Sequence, residues 1–390
     1  MNRRIITPRP GWQEKAERAG FIFHHVDGDI YWDESVCYSF TLRQIEDDIE
    51  DPTQELADMC LALVDEVVRS DTLLKKLAIP EYAWNLVRDS WKRKEPSLYG
   101  RFDFSYDGTG PAKLYEYNAD TPTALYEAAL FQWYWMEEAR EMGIIPPDAD
   151  QFNSIQETLI RTLRGFKVAD FEQGPMHFAC VAGSDEDFAT VHYLRDCAVQ
   201  AGIKTIQMYM EDIGMDENGQ LVDVDDGAIR WLFKLYPWEF MIRDEYGPGL
   251  ERCDTTFVEP PWKMILSNKG ILPLLWERYP GHPNLLPAWF HEPGKKAPYG
   301  DYVLKPLFSR EGANIIAFRD NEEVFDTGGI YGKEGYVGQL LCPPPNIDGQ
   351  GPVIGSWVIG NTACGMGIRE DSSPITGNMS RFVPHVIVTE

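Results

Sequence analysis

Two short stretches alternate polar with aromatic or apolar residues: Gly100-Arg101-Phe102-Asp103-Phe104-Ser105-Tyr106 and Lys113-Leu114-Tyr115-Glu116-Tyr117-Asn118. Between them lies the turn signal Asp107-Gly108-Thr109-Gly110, so the pattern predicts a β-hairpin. Successive side chains on a strand leave by opposite faces. Arg101, Asp103 and Ser105 therefore share one face, and Phe102, Phe104 and Tyr106 take the other. On the second strand Leu114, Glu116 and Asn118 share a face. With Thr109 and Gly110 at the tip, Asp103 stands opposite Glu116 and Arg101 opposite Asn118, and opposed residues lie on the same side of an antiparallel pair. Two carboxylates so close repel unless a cation lies between them. Oxygen donors of this kind suit magnesium, which takes one or two carboxylates together with phosphate oxygens. Arg101 beside them could neutralise a phosphoryl group in transfer. The competing reading is a solvated hairpin face laced by cross-strand ion pairs. The pattern alone favours that second reading, because it leaves the register open.

Further cationic residues stand at places where phosphate could be held. Tyr302-Val303-Leu304-Lys305-Pro306 reads as a strand ending in a lysine, followed by the loop Ser309-Arg310-Glu311-Gly312-Ala313-Asn314. Backbone N–H groups of such a loop can cradle phosphates while a lysine supplies charge, although an ordinary turn explains the same residues and the Walker spacing is absent. Asn268-Lys269-Gly270 opens an apolar helix, a position that favours anions, so Lys269 is either a phosphate ligand or a surface residue. Arg369 lies on a late strand, 365–371, where an ion pair with Glu370 or Asp371 is the plain alternative. The seven histidines show no H-E-x-x-H spacing and yield no histidine-based centre.

The elements that must position these residues are readable in outline. The first hundred residues read as mainly helical. Leu56, Met59, Cys60, Leu63, Val64, Val67 and Val68 form one apolar stripe at helical spacing. Asp51, Pro52 and Gln54 suggest that this helix starts there. Thr121-Pro122 suggests the start of another, running to about Gly143. Strands at 177–181 and 205–210 flank a helix at 186–200, a βαβ unit with parallel pairing. Beyond residue 256 short strands alternate with glycine turns and one helix near 268–276. The division expected from this reading is a helical region 1–99, the hairpin and its helix 100–150, a βαβ region 151–255 and a late α+β region 256–390.

Composition limits the partners. Lys and Arg total 36 against 62 Asp and Glu, a net charge of −26, which argues against a nucleic-acid partner. A cationic substrate would be attracted, although acidic charge also serves solubility alone. The seven cysteines are odd in number and include no C-x-x-C pair, the pattern of reduced thiols in a cytoplasmic protein. No apolar leader and no run of 18 apolar residues occurs, so neither a signal peptide nor a membrane span is expected.

Taken together, Gly100-Arg101-Phe102-Asp103, Tyr115-Glu116-Tyr117-Asn118-Ala119-Asp120, Ser267-Asn268-Lys269, Lys305-Pro306, Arg310-Glu311-Gly312 and Ser380-Arg381-Phe382-Val383-Pro384-His385 resemble the signature of the glutathionylspermidine synthetase family. The resemblance covers essentially the whole chain and is nearest to the shorter, stand-alone branch described as acid–amine ligases. It implies an α/β (α+β) architecture: a permuted ATP-grasp fold with a pre-ATP-grasp βαβ domain and a helical N-terminal region. It implies Asp103, Glu116 and Asn118 as Mg2+ ligands. Lys269, Lys305 and Gly312 would contact the phosphates of ATP, along with Arg101, Phe102 and Asp103. Gln339, Leu340 and Ile375 would lie near the adenine. Arg101 would stabilise the transferring phosphoryl group and Arg369 the reacting acyl phosphate.

The implied activity is an ATP-dependent carboxylate–amine ligase acting on a small-molecule acid and amine, with a peptide and a polyamine as the family's examples. Thr121 and Thr123 would line the acid pocket, and the cluster Asp185, Glu186 and Asp187 would attract the amine, although a helix N-terminus also favours acids for its own reasons. Leu235 and Pro237 depart from the polar lining expected nearby. The family's bifunctional members carry an N-terminal amidase, and no amidase activity is expected here. The alternatives are an ATP-binding or ATPase protein of the same fold without ligase chemistry, and a small-molecule kinase.

Overall fold

A computed structural model describes residues 1–26, 28–166, 174–310, 312–373, 377 and 380–389. Its centre is a five-stranded antiparallel sheet in the order Arg381–Val383, Thr362–Asp371, Gly351–Ile359, Tyr99–Ser105, Lys113–Asn118. The predicted hairpin is thus one edge of a sheet completed by strands from the far end of the chain. Phe102 and Phe104 face away from the polar side and are fully buried. Phe102 stacks on Tyr117 with ring centroids 3.8 Å apart. The apolar stripe of helix Asp51–Val67 is buried in the same core, with Leu56, Cys60, Leu63, Val64 and Val67 withdrawn from solvent.

A second antiparallel sheet runs Ala288–Phe290, Tyr336–Leu340, Tyr302–Pro306, Ile316–Arg319, Glu322–Asp326. It carries Lys305 and Gln339. A third sheet is wholly parallel, in the order Thr256–Val258, Trp231–Leu235, Met176–Cys180, Thr205–Tyr209. The helix Asp185–Gln200 crosses between its last two strands, with Ser184 capping Asp187 N–H. This is the expected βαβ unit, and a parallel pair requires such a crossover.

Three local expectations need correction. Residues before 41 are not helical throughout: Asn2–Ile5 and Val36–Phe40 are strands that pair with each other, and Val36–Phe40 pairs on its other edge with His385–Ile387. Asp51 is not a helix cap. The chain becomes helical at Thr41, whose hydroxyl accepts from Gln44 N–H while the Gln44 side chain accepts from Thr41 N–H. A π turn at Glu46–Glu50 then leads into Asp51–Val67, and this wider turn accommodates Pro52, whose ring would clash with the carbonyl four residues earlier in a regular helix. Thirdly, Thr121-Pro122 does not open a helix. Residues 121–124 are irregular, Ala124 has φ +64°, and helical structure begins at 125. Arg101 Nη1 donates to the Thr123 carbonyl at 2.6 Å, so a tertiary contact holds the segment out of the helix.

All seven cysteines are free. Among the described residues no helix is long and apolar enough to cross a membrane.

Candidate active site

The hairpin register places Arg101 against Asn118 and Asp103 against Glu116, with a bulge between Asp103 and Phe104. Their side chains open into a cavity of about 490 Å³, within the range of small-molecule sites. Asp103 collects most of the polar contacts. Arg101 Nε donates to its Oδ1 at 2.6 Å and Nη2 to its Oδ2 at 3.0 Å. Arg369 Nη2 reaches the same Oδ2 at 3.3 Å. Asn118 Nδ2 donates to Asp103 Oδ2 at 3.2 Å and to Glu116 Oε1 at 3.3 Å, bridging the two carboxylates. Arg101 lies flat over Gly355 on the neighbouring strand, where an added Cβ would stand 2.7 Å from its Cδ.

Lys305 approaches from the second antiparallel sheet, and Lys269 from the turn between the helices Lys263–Leu266 and Ile271–Arg278. Lys269 Nζ lies 2.8 Å from Glu116 Oε2 and donates to the Ser309 carbonyl at 2.8 Å. Lys305 Nζ donates to the Tyr115 carbonyl at 3.0 Å. Burial alone would raise the Glu116 carboxyl, but the charges of Lys269 and Lys305 and the hydrogen bonds from Lys269 and Asn118 outweigh it, holding Glu116 at about 2. Burial lowers Lys305 to about 8 against the opposing pull of Glu116. The end of the cavity is thus a compact set of alternating acidic and basic side chains.

Two carboxylates and an amide are hard oxygen donors, which fit magnesium and not a thiophilic metal. Among the described residues no group of three or more His, Cys, Asp and Glu side chains is placed to hold a metal. A cation here would therefore take Asp103, Glu116, the Asn118 amide oxygen and oxygens from outside the protein, the mixed shell magnesium prefers. The arginine and lysine contacts at present balance the charge such an ion would neutralise.

Away from this cluster the cavity is lined by Val303, Ile315, Ala317, Val324, Leu341 and Val353, an apolar slot suited to a flat heterocycle. Gln339 and Leu340 lie on it, and Gln339 Nε2 donates to the Leu114 carbonyl at 3.0 Å, tying the two antiparallel sheets together. Gly312 also lines it, at φ +69°. Thr121 and Thr123 border the remaining side with Asp187, Leu235, Pro237 and Arg310.

Most of the residues singled out in the sequence therefore converge. Phe102 is the exception on the hairpin, since its side chain is in the core. Asp185 and Glu186 lie at the start of the crossover helix but do not line the cavity, whereas their neighbour Asp187 does. Ile375 falls outside the described residues. Arg310 was seen only as part of a motif. It reaches Thr121 Oγ1 and pairs with Glu239 at 2.8 Å, and its buried Nε has no partner.

Comparison with known proteins identifies a family. The profile of the glutathionylspermidine synthase preATP-grasp family matches residues 3–388. A Haemophilus influenzae protein named "Putative acid--amine ligase" is 43% identical over 394 residues, covering 97% of this chain and 98% of its own length. Trypanothione synthetase of Crithidia fasciculata is 31% identical over 353 residues, 84% of this chain. The bifunctional glutathionylspermidine synthetase/amidase of Escherichia coli is 27% identical over 403 residues, 97% of this chain. The chain spans only 53% and 63% of the length of these last two relatives. Among solved structures, a glutathione synthetase-like effector from Globodera pallida superposes with a TM-score of 0.56 at 14% identity, covering 90% of this chain and 88% of that one; at this identity the likeness is one of fold.

Proposed function

The chain belongs to the glutathionylspermidine synthase preATP-grasp family, and we propose that it is an ATP-dependent ligase that joins a carboxylic acid to an amine in a permuted ATP-grasp fold. The observation that carries this reading is the meeting of Asp103, Glu116 and Asn118 with Arg101, Arg369, Lys269 and Lys305 at the polar end of one cavity whose other end is apolar. An apolar slot beside clustered cations accommodates a purine nucleotide with its phosphates directed at the hairpin.

In this reading the apolar slot with Gln339 and Leu340 takes the base, and Lys269, Lys305 and the loop at Gly312 hold the phosphates. Asp103, Glu116 and Asn118 would hold magnesium, which when bound supplies charge neutralisation at the phosphoryl oxygens. The acid lies along Thr121 and Thr123, aligned for in-line attack of its carboxylate on the γ-phosphorus. Arg101 neutralises the equatorial oxygens as the phosphoryl group passes to the acid. The resulting acyl phosphate is attacked at its carbonyl carbon by the amine in its free-base form, the nitrogen giving up its proton to the departing phosphate. Arg369 steadies the oxyanion, the C–O bond breaks and phosphate leaves. Asp187 is the carboxylate best placed to draw a cationic amine toward the cavity. The seven free cysteines fit a reducing compartment such as the cytoplasm.

The test is to follow ADP release with magnesium present, first alone and then with pooled small acids and amines, while scanning for a new amide mass. ADP release that depends on one acid–amine pair, with the matching amide, supports the assignment and names the substrates. ADP release with no amide from any pool would overturn it.

A further inference from the structure

Glu127 is a fully buried carboxylate that the proposed reaction does not use. It opens the π turn Glu127–Phe131, two helical residues beyond the irregular segment 121–124 that borders the cavity. Turns of this kind often mark functional positions. Its Oε1 accepts from Tyr31 Oη at 2.6 Å, whereas its Oε2 is buried without a hydrogen-bond partner. An unmatched buried oxygen costs free energy unless another state of the protein supplies its partner.

The candidates for that partner are close by. The π turn packs on the strand Thr362–Asp371, where an added Cβ at Gly367 would meet Ala128 Cβ at 3.4 Å. Gly367 and Arg369 lie on the same face of that strand. Burial raises the Glu127 carboxyl, and the charges of Arg101 and Arg369 oppose that rise. The two arginines differ in freedom. Arg101 is fixed by two bonds to Asp103 and one to the Thr123 carbonyl. Among the described residues Arg369 is held by one hydrogen bond, to Asp103 at 3.3 Å, and its side chain is 22% exposed.

Asp103 Oδ2 receives three donors, from Arg101, Asn118 and Arg369. It cannot keep all three and also ligate a cation. We propose that Glu127 is a positioning residue that receives Arg369 when Asp103 turns to a divalent cation, so that one arginine passes between two carboxylates. The inference rests on the reading of Asp103 as a metal ligand. It gives the orphaned Oε2 a partner in the metal-bound state, where Arg369 would be aimed at the reacting carbonyl.

The test measures metal binding. Mn2+ is titrated into the whole protein with a non-hydrolysable ATP analogue, and free Mn2+ is read by electron paramagnetic resonance. Glu127→Gln keeps the Tyr31 bond and the volume but loses the charge, so Mn2+ affinity is expected to fall about 10–100-fold, the usual effect of losing a partner just outside a metal's ligands. Glu127→Asp keeps the charge and should retain affinity close to the parent. With Arg369→Gln already present, Glu127→Gln should have no further effect. Parent-like affinity in Glu127→Gln, or an undiminished loss in the Arg369→Gln background, would overturn the inference and leave the ligase reading intact. Should Glu127→Gln fail to fold, a loss of Mn2+ affinity in folded Glu127→Asp overturns it instead. A parent protein that binds no Mn2+ with nucleotide would remove the ligase reading itself.

Discussion

Arg101 and Asp103 leave the same strand on the same face and hold each other through two hydrogen bonds, Nε to Oδ1 at 2.6 Å and Nη2 to Oδ2 at 3.0 Å. Residues two apart on a flat strand share a face, and Gly355 provides the bare surface on which the guanidinium lies. A guanidinium and the carboxylate proposed to bind metal are thereby set side by side. Replacing Arg101 by Ala should lower turnover by about 10²–10³-fold, the usual loss for one donor aimed at developing charge. Binding of a non-hydrolysable ATP analogue, measured by calorimetry, should change little. Loss of nucleotide binding in step with turnover would contradict the assigned role.

Gly355→Ala tests the same relationship from outside the reaction. Its Cβ would stand 2.7 Å from Arg101 Cδ, so the arginine must shift, and misplacement of about 1 Å can cost on the order of 10²-fold in rate. The variant should unfold cooperatively in urea as the parent does and yet turn over far more slowly. Parent-like kinetics would show that the arginine's position over Gly355 is immaterial.

Asp120 follows the hairpin and anchors the cavity segment to the parallel sheet. Its Oδ1 accepts from Lys234 Nζ at 2.7 Å and its Oδ2 from Trp238 N–H at 2.8 Å, with both charged side chains fully buried. Asp120→Ala leaves the buried lysine unpaired and should cost about 3–5 kcal/mol in denaturant unfolding. The double variant Asp120→Asn with Lys234→Met removes the stranded charge and should recover part of that loss. A double variant no more stable than Asp120→Ala would be the contrary result.

His385 gives a pH dependence of stability. Its Nδ1 faces Gln132 Oε1 at 3.0 Å and its Nε2 accepts from Phe152 N–H at 3.2 Å, a neutral tautomer. Burial lowers it to about 3, whereas in the unfolded chain it titrates near its ordinary value of about 6.5. Between these values the unfolded state binds the extra proton, so stability falls as pH drops below about 6.5 and the loss ends near 3. Urea unfolding from pH 7 to 5 should show this decline, and His385→Gln should flatten it. An unchanged slope in the variant would assign the decline to other groups.

The hairpin was legible in the sequence because alternation and a strong turn signal mark its two strands, while the register that sets Asp103 against Glu116 is given by the structure. The bulge after Asp103 was not, and it overturns one expectation: Leu114 does not share the face of Glu116 and Asn118 but is buried in the core opposite Phe104, while the extra residue, Tyr115, lines the cavity. The segment 121–124 was misread as helix because what prevents helix there is distant: Arg101 Nη1 on the Thr123 carbonyl. The same holds for Arg369. Sequence neighbours suggested pairing with Glu370 or Asp371, but strand alternation turns Glu370 to the opposite face, where it pairs with Arg3 and Arg381, and leaves Arg369 facing Asp103. Glu127 carried no signal, since a glutamate in a helix is ordinary until its burial is seen. The joining of strands 99–118 to strands 351–383 could not be read from local patterns, because nothing local encodes pairing between residues as far apart in the chain as Phe104 and Ile354 or Tyr99 and Ile359.

The most direct test of the central claim uses an acid labelled with ¹⁸O in its carboxylate, once an acid–amine pair that supports turnover is known. A phosphate bond to the acid requires one carboxylate oxygen to leave with phosphorus, so mass analysis should find one ¹⁸O in the inorganic phosphate for each amide formed. Amide formed with unlabelled phosphate, or labelled acid recovered unchanged while ADP accumulates, would contradict the account.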